Sequence, residues 1–227
     1  MKRSIEAGVR LGVMKAIIFD LDGVIFDTRT LQEAALRYCY NKYKPYSEVP
    51  IKEFFELSGS RLEEIFSVLG IPLHLVNDYR EYSSKHIDDI RLFDGILELL
   101  TKLKDKRVPL GICTGKDRKR TVEILNKFAI NEFFRGVVCS DEVNFPKPHP
   151  ESLFKCAKIM DVDIDQCIMI GDAINDIKCA KSAGMKCVAV SWGEFEAAKL
   201  IKFSPDYCVY EPMEILDVFW GQNNAKS

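Results

Sequence analysis

The chain lacks a long apolar run, a large excess of charge of one sign and a Cys-x-x-Cys pair. No apolar run reaches the roughly 18 residues that a membrane-spanning helix needs, so we expect no membrane partner. The formal net charge of the 227 residues is −2, which provides no strong field to attract nucleic acid. Residues 1–13 lack the sustained apolar core of a signal peptide and are interpreted as an N-terminal extension.

Histidine is scarce, and cysteine is present without the spacing of a metal site. The three histidines have no mutual spacing typical of a metal-ligating cluster. Several of the eight cysteines lie inside apolar runs, where a free thiol behaves as a small hydrophobic side chain. We therefore expect reduced thiols and a cytoplasmic protein rather than a secreted, disulfide-rich one.

Short apolar runs recur along the chain and have the length of buried strands. They lie at residues 16–19, 108–113, 136–139, 167–171 and 187–191, with a weaker run at 207–210. Most of the intervals between them have the periodicity of amphipathic helices. Strands that alternate with helices predict an α/β fold with a parallel sheet covered on both faces.

The interval 28–91 interrupts this alternation. It contains apolar residues at helical spacing but no convincing strand, and it is too long for an ordinary connection. We interpret it as an α-helical cap domain, inserted into a catalytic core formed by residues 14–27 and 92–227. Because the insertion begins beside the carboxyl end of the first strand, we expect the cap to lie over the active site.

Two acids follow the first predicted strand directly, in the segment Asp20-Leu21-Asp22-Gly23. A carboxylate can attack phosphorus to form an aspartyl-phosphate, and we assign this nucleophilic role to Asp20. Asp22 can protonate the leaving alkoxide and then activate the hydrolytic water. A cation has to suppress the repulsion between carboxylate and phosphate, and Mg²⁺ prefers oxygen ligands of this kind. The alternative for this motif alone is an acidic turn without catalytic function.

Three further strand ends carry polar groups that suit the same chemistry. Thr114 and Gly115 offer a hydroxyl and backbone N–H groups for a phosphoryl oxygen. Lys147 lies between prolines, on a stiff loop that would place its ammonium near carboxylate and phosphate. Asp172 and Asp176 lie at a strand end and a helix start, on one face of the first turn. Each motif alone has a structural alternative, as a helix cap or a surface turn, but their common order favours a single site.

This set of motifs resembles that of the haloacid dehalogenase superfamily. The resemblance spans about residues 14–215 and rests on the motifs that carry Asp20, Thr114, Lys147 and Asp172. It implies a Rossmann-like core, an inserted helical cap and a bound Mg²⁺.

The resemblance also implies a role for each residue of these motifs. Asp20 would be both nucleophile and metal ligand. Asp22 would be the general acid and base and would also give its backbone carbonyl to the metal. Thr114 and Lys147 would bind phosphate. Asp172 would ligate the metal, and Asp176 would ligate it directly or hold its waters.

Some of the motif residues also indicate which branch of the superfamily the chain resembles. Asp22 favours phosphate esters, since the resemblance implies that dehalogenases and phosphonate-cleaving members lack an acid there. Sugar-phosphate mutases of the superfamily carry a histidine where this chain has Gln32, which weakens the mutase interpretation. The overall pattern is similar to that of phosphoglycolate phosphatases, but Thr114-Gly115-Lys116 departs from their Thr-Asn-Lys. In this departure the chain is similar to phosphatases associated with amino-hydroxybenzoate biosynthesis, so the substrate stays open.

Substrate choice is expected to come from the cap. Arg61 follows the segment Ser58-Gly59-Ser60, where the superfamily places a specificity loop, and it can bind an anionic group of the substrate. A solvated helix start is the alternative for Arg61. In the run at residues 116–120, the basic residues Lys116, Arg118, Lys119 and Arg120 are interpreted mainly as a solvated helix face. The alternative is that they raise the local concentration of phosphate at the mouth of the site.

The sequence therefore predicts a Mg²⁺-dependent phosphatase that hydrolyses the phosphomonoester of a small metabolite through an aspartyl-phosphate. The expected partner is a small phosphorylated metabolite, and the expected assembly is a monomer or a homodimer. Two other functions stay open, namely a phosphoglucomutase-like isomerase and a non-catalytic binding protein on the same scaffold. The intact acids argue against the second.

Overall fold

A six-stranded parallel sheet forms the centre of the protein. The computed structural model describes residues 14–221, and the predicted N-terminal extension lies outside them. The strands of this sheet are β1 (Ala16–Phe19), β4 (Leu110–Cys113), β5 (Gly136–Val138), β6 (Cys167–Gly171), β7 (Lys186–Val190) and β8 (Tyr207–Val209). Two further strands, β2 (Phe26–Asp27) and β3 (Arg91–Leu92), form a separate ribbon. Their order is β5-β4-β1-β6-β7-β8. The predicted α/β fold with a Rossmann-like parallel sheet is confirmed.

Both faces of the sheet are covered by helices. One face packs against α5 (Ile96–Asp105), α6 (Arg118–Lys127) and α10 (Glu214–Trp220). The other packs against α7 (Glu151–Met160), α8 (Ile174–Ser182) and α9 (Ala197–Ile201). Alternate residues of β1 point into the two apolar cores, and all four are fully buried. Burial on both faces explains why the strands are continuous apolar runs rather than alternating patterns.

The boundaries of most elements agree with the predictions, but the second main strand begins later than expected. The apolar run predicts a strand from residue 108, and β4 begins at Leu110. The N–H of Val108 instead donates to the carbonyl oxygen of Leu103, which closes the turn after α5. Pro109 has no N–H to contribute to a ladder. The turn after the helix therefore includes Val108, while Pro109 only accepts a hydrogen bond from the N–H of Ile17.

Four helices occupy the interval for which a helical insertion is predicted. They are α1 (Arg29–Tyr43), α2 (Ile51–Glu56), α3 (Leu62–Val68) and α4 (Leu75–Lys85), and we call them, with their connections, the cap. They bury an apolar cluster of their own, which includes Leu36, Phe54, Phe66 and Tyr79. The chain enters and leaves the cap through a two-stranded antiparallel ribbon, β2 (Phe26–Asp27) and β3 (Arg91–Leu92). Strands of two residues are too short for periodicity to predict.

Two expectations from composition can be compared with the structure. All eight cysteines are free thiols, and seven of them are buried. Within residues 14–221, no helix combines the length and the apolar character that crossing a membrane requires.

Asp117 connects the cap to the core. It is the N-cap of α6, where its side chain accepts a hydrogen bond from the N–H of Arg120. Its carboxylate also pairs with the guanidinium of Arg120 (2.7 Å) and with that of Arg80 on α4 (3.0 Å). Burial disfavours the charged form, but the two arginines outweigh this effect and lower the pKa of Asp117 to about 2.

The substitution Asp117→Asn is expected to lower the free energy of unfolding by about 2 kcal/mol near neutral pH. Asparagine keeps the helix cap, so the loss reports the charge. Because the folded-state pKa lies below the unfolded value of 3.8, the charge stabilises fully above about pH 4, and its contribution is lost as the pH falls towards 2. Urea unfolding of both proteins near neutral pH and near pH 3 measures the effect. A difference that does not shrink on acidification contradicts it.

Candidate active site

The carboxyl ends of three strands meet at the middle of the sheet, where the strand order reverses. β1 pairs with β4 on one side and with β6 on the other. Asp20, Thr114 and Asp172 each follow one of these strands directly. Ligands of parallel sheets bind at such a reversal point. The structure thus brings together residues that the sequence predicts from separate strand ends.

Lys147 is buried at the centre of this edge, with 2% of its surface exposed. Its ammonium donates to Oδ1 of Asp20 (2.7 Å), Oδ1 of Asp176 (2.6 Å) and the carbonyl oxygen of Cys113 (3.1 Å). All three N–H donors therefore have an acceptor. Burial alone would lower the pKa of Lys147, but Asp176 and Asp20 raise it above its usual value, which keeps the side chain charged. The alternative of a surface turn is excluded, and Lys147 orients Asp20.

Three buried carboxylates form a group that can hold a divalent cation. Oxygen atoms of Asp20, Asp172 and Asp176 lie within 4.8 Å of one another. Burial is the largest cause that raises the pKa of Asp20, to about 8, and the pKa of Asp172, well above its usual range. Lys147 compensates only one of the three negative charges, and unpaired buried charges are costly. A cation that prefers oxygen ligands fits this cluster in charge and in donor type.

The loop after β1 packs Asp22 and Gly23 against the carboxylate cluster. Gly23 has a φ of 76°, and a Cβ at this position would overlap the carboxylate of Asp172. Only glycine permits this conformation and this close approach. Asp22 pairs through Oδ2 with Lys116 (3.1 Å), while its buried Oδ1 has no hydrogen-bond partner among the described residues. Asp22 also lines the cleft, where a carboxyl group can exchange a proton with a bound substrate.

Thr114 and Gly115 line the cleft together with Asp20. The hydroxyl of Thr114 accepts a hydrogen bond from the backbone N–H of Lys116 (3.1 Å). Its own O–H can still donate to a phosphoryl oxygen. Both residues therefore lie where phosphate binding requires them, and phosphate binding itself stays a prediction.

The cleft between core and cap has about 530 Å³ of atom-free space, its opening to solvent included. Its core end is acidic and includes Asp20, Asp22 and Asp172. The cap contributes an apolar wall, formed by Phe54, Leu62, Ile65 and Tyr79.

Lys116 and Arg120 also line the cleft, although the sequence predicts a solvated basic face. Their exposed fractions are 9% and 8%, because Lys116 pairs with Asp22 and Arg120 pairs with Asp117. The prediction is therefore wrong for these two residues, whereas Lys119 of the same run is exposed. The i,i+3 spacing of Asp117 and Arg120 is the signal in the sequence that pointed to a pair.

Arg61 has its partners in the core rather than in the cleft. Its Nη2 donates to the carbonyl oxygens of Ser140 and Val143, both at 2.6 Å. The guanidinium thereby ties the cap to the core. The structure does not bring Arg61 to the cleft lining, and it does not leave the side chain solvated.

Known proteins of similar sequence share this fold. A family model described as haloacid dehalogenase-like hydrolase matches residues 17–190. The chain is 30% identical to the pyrophosphatase PpaX of Bacillus cereus over 216 aligned residues. The alignment covers 93% of this chain and 99% of that protein. A haloacid dehalogenase-like family hydrolase from Streptococcus pneumoniae superposes with a TM-score of 0.78 at 29% identity, over 91% and 99% of the two chains. The β-phosphoglucomutase of Clostridium difficile gives a TM-score of 0.77 at 26% identity, over 92% and 98%.

Proposed function

Because the chain belongs to the haloacid dehalogenase-like hydrolase family, we propose that it is a Mg²⁺-dependent phosphatase. Its substrate is the phosphomonoester of a small metabolite, and the reaction passes through an aspartyl-phosphate at Asp20. The observation that carries the proposal is the contact of Lys147 with both Asp20 and Asp176. It places a charged ammonium against the nucleophile and against the cluster that suits a cation. The free thiols support a reducing compartment, for which we propose the cytoplasm.

The reaction has two steps, both at phosphorus. An oxygen of Asp20 attacks phosphorus, the bond to the ester oxygen breaks, and Asp22 gives its proton to the leaving alkoxide. Water then attacks phosphorus, Asp22 takes a proton from the water, and the bond to Asp20 breaks to release inorganic phosphate. Thr114 and the backbone N–H of Gly115 bind phosphoryl oxygens, while Lys147 keeps the nucleophile oriented.

Asp20, Asp172 and Asp176 would hold the Mg²⁺, and the backbone carbonyl of Asp22 is a further candidate ligand. When bound, the cation supplies positive charge that offsets the repulsion between a carboxylate and a phosphate.

The apolar wall of the cap favours a substrate whose leaving group is organic. Phe54, Leu62 and Ile65 offer no hydrogen bond to a second phosphate, whereas a carbon chain gains by contact with them. The cations Lys116 and Arg120 are already paired with Asp22 and Asp117, so they provide little net positive charge for a polyanion. A leaving group that contains carbon and carries a single anionic group fits the apolar wall and the small net positive charge.

Two other reactions have an observation in their favour. Pyrophosphate hydrolysis is the activity named for the Bacillus cereus relative, which matches nearly the whole chain. Phosphoryl transfer between sugar positions is the activity named for the Clostridium difficile structure. The position at which the superfamily's mutases carry histidine is Gln32, and its amide is held by Thr28 (2.8 Å) and Glu194 (2.9 Å). An amide lacks the acid–base chemistry of imidazole, which favours the hydrolase.

We expect the kcat/KM for the best organic phosphomonoester to exceed that for pyrophosphate at least about tenfold. Burying two methylene groups against the apolar wall contributes about 1.6 kcal/mol, which corresponds to this ratio. A panel of phosphoglycolate, sugar phosphates, nucleotides and pyrophosphate, assayed for phosphate release with and without Mg²⁺, measures it. A preference for pyrophosphate supports the second candidate, and interconversion of sugar phosphates without phosphate release supports the third.

A matched pair of variants on α3 tests the wall itself. Ile65→Thr puts a hydroxyl into the wall. We expect it to lower the ratio of kcat/KM for the organic ester to kcat/KM for pyrophosphate. Val68→Thr makes a similar change on the same helix, where the side chain is 70% exposed, and is expected to leave the preference unchanged. Equal effects of the two changes contradict the assignment of the wall.

A further inference from the structure

We propose that Asn175 and Glu194 are positioning residues that hold residues 58–60 of the cap against the catalytic carboxylates. We call residues 58–60 the docking segment, which lies between α2 and α3 and lines the cleft. Its contacts couple closure of the cap to the order of the carboxylate cluster. The inference rests on the proposed function and adds to it the residues that make closure and chemistry depend on each other.

Asn175 contacts the docking segment from the core. Its Nδ2 donates to the carbonyl oxygen of Ser58 (2.9 Å) and to Oγ of Ser60 (3.0 Å). Asn175 lies in the first turn of α8, directly before Asp176, whose carboxylate binds Lys147. The docking segment is therefore bonded to the residue next to a candidate cation ligand.

Glu194 makes the second connection. Its carboxylate accepts hydrogen bonds from Oγ of Ser58 and from Nε2 of Gln32 on α1, the latter at 2.9 Å. Its backbone N–H donates to Oδ2 of Asp172 (2.6 Å). One residue thus joins two parts of the cap to another candidate cation ligand.

Gly115 allows the docking segment to approach the core this closely. A Cβ at this position would lie 2.5 Å from the carbonyl oxygen of Ser60 and 2.7 Å from that of Gly59. Both neighbours are backbone atoms, which cannot move aside as the end of a flexible side chain can. The glycine that distinguishes Thr114-Gly115-Lys116 from Thr-Asn-Lys therefore has a structural reason in this chain.

Because of these contacts, closure of the cap and ordering of the carboxylates depend on each other. Opening the cap breaks the hydrogen bonds of Asn175 and of the Glu194 carboxylate together, and it removes support from Asp172 and Asp176. By linkage, whatever orders these two carboxylates favours the docked segment to the same extent. A docked segment also keeps bulk water from the carboxylates, which a phosphoryl transfer to Asp20 requires.

The substitution Asn175→Ala removes two hydrogen bonds from the docking segment. We expect faster hydrogen–deuterium exchange in this segment, weaker Mg²⁺ binding by calorimetry and a kcat reduced about tenfold, as expected for two lost hydrogen bonds. KM is expected to change less than kcat, because the apolar wall is untouched. Asn126→Ala makes the same change at an exposed position of α6 and is expected to leave all of these quantities unchanged.

Glu194→Gln and Ser60→Ala extend the test to the second connection and to the cap side. Glu194→Gln replaces one acceptor oxygen by a donor group and is expected to change exchange and Mg²⁺ affinity in the same direction. Ser60→Ala removes one of the two cap partners of Asn175, so its effect is not additive with that of Asn175→Ala. If Asn175→Ala does not fold, the exchange and the Mg²⁺ affinity of Ser60→Ala still test the proposal. Additive effects, or exchange and Mg²⁺ affinity that match those of the Asn126→Ala control, overturn the proposal.

Exchange and calorimetry need no turnover, so the two proposals can fail separately. If the unaltered protein releases no phosphate from any ester, the proposed function fails, and the exchange data still decide the positioning roles. If it hydrolyses esters while the variants behave like the control, only the positioning roles fail.

Discussion

Asp20→Asn is expected to reduce Mg²⁺-dependent phosphate release roughly 10⁴-fold or more, because the amide cannot serve as the nucleophile. The same change removes one of three clustered buried carboxylates, of which Lys147 compensates only one. The metal-free variant should therefore be about as stable as the parent protein. Phosphate release and urea unfolding, measured on the same preparation, check both expectations.

Asp27→Asn is the matched control for this variant. Asp27 is an exposed acid seven positions further along the chain, at the end of β2, and it does not line the cleft. The control is expected to retain full activity. If Asp20→Asn keeps substantial activity while Asp27→Asn loses it, Asp20 is not the nucleophile. A large loss of stability in Asp20→Asn would instead mean that the variant lost its activity by unfolding.

Lys147→Met is expected to destabilise the metal-free protein by about 3–5 kcal/mol. The ammonium is the cation that binds the carboxylates of Asp20 and Asp176, and its removal leaves two buried charges without this partner. Methionine has a similar length, so packing changes little. Urea unfolding measures the loss, and saturating Mg²⁺ is expected to restore part of the stability by binding to the folded state.

Lys119→Met is the control for Lys147→Met. Lys119 is an exposed lysine of α6, and its replacement is expected to change stability by less than about 0.5 kcal/mol. Equal effects of the two variants would contradict a buried charge network around Lys147. A large effect that Mg²⁺ leaves unchanged would support the network but contradict the cation site.

Much of the candidate site could be predicted from the sequence because the geometry of a parallel sheet is regular. Asp20, Thr114 and Asp172 each follow a buried apolar run, and the carboxyl ends of such strands share one edge. Lys147 could be predicted from its position after the third main strand and between prolines. The helices between the strands could also be predicted, since amphipathic periodicity is a local signal.

The sequence could not predict contacts between segments that lie far apart along the chain. Asn175 and Ser58 are 117 positions apart, and neither residue type has a periodicity that indicates a partner. Arg61 has a chemistry that suits an anion, yet backbone carbonyls of the core take its donors. Four of the five residues at 116–120 are basic. Apart from the spacing of Asp117 and Arg120, only the fold decides which of the four a carboxylate buries.

Trapping of the phosphoenzyme is the measurement that tests the covalent mechanism most directly. The protein is mixed with Mg²⁺ and an isotopically labelled substrate from the panel, quenched with acid during turnover and analysed by peptide mass spectrometry. We predict one phosphoryl group on Asp20 and none on the same peptide of Asp20→Asn. Rapid turnover without any phosphorylated peptide, or a phosphoryl group on another residue, would contradict the mechanism.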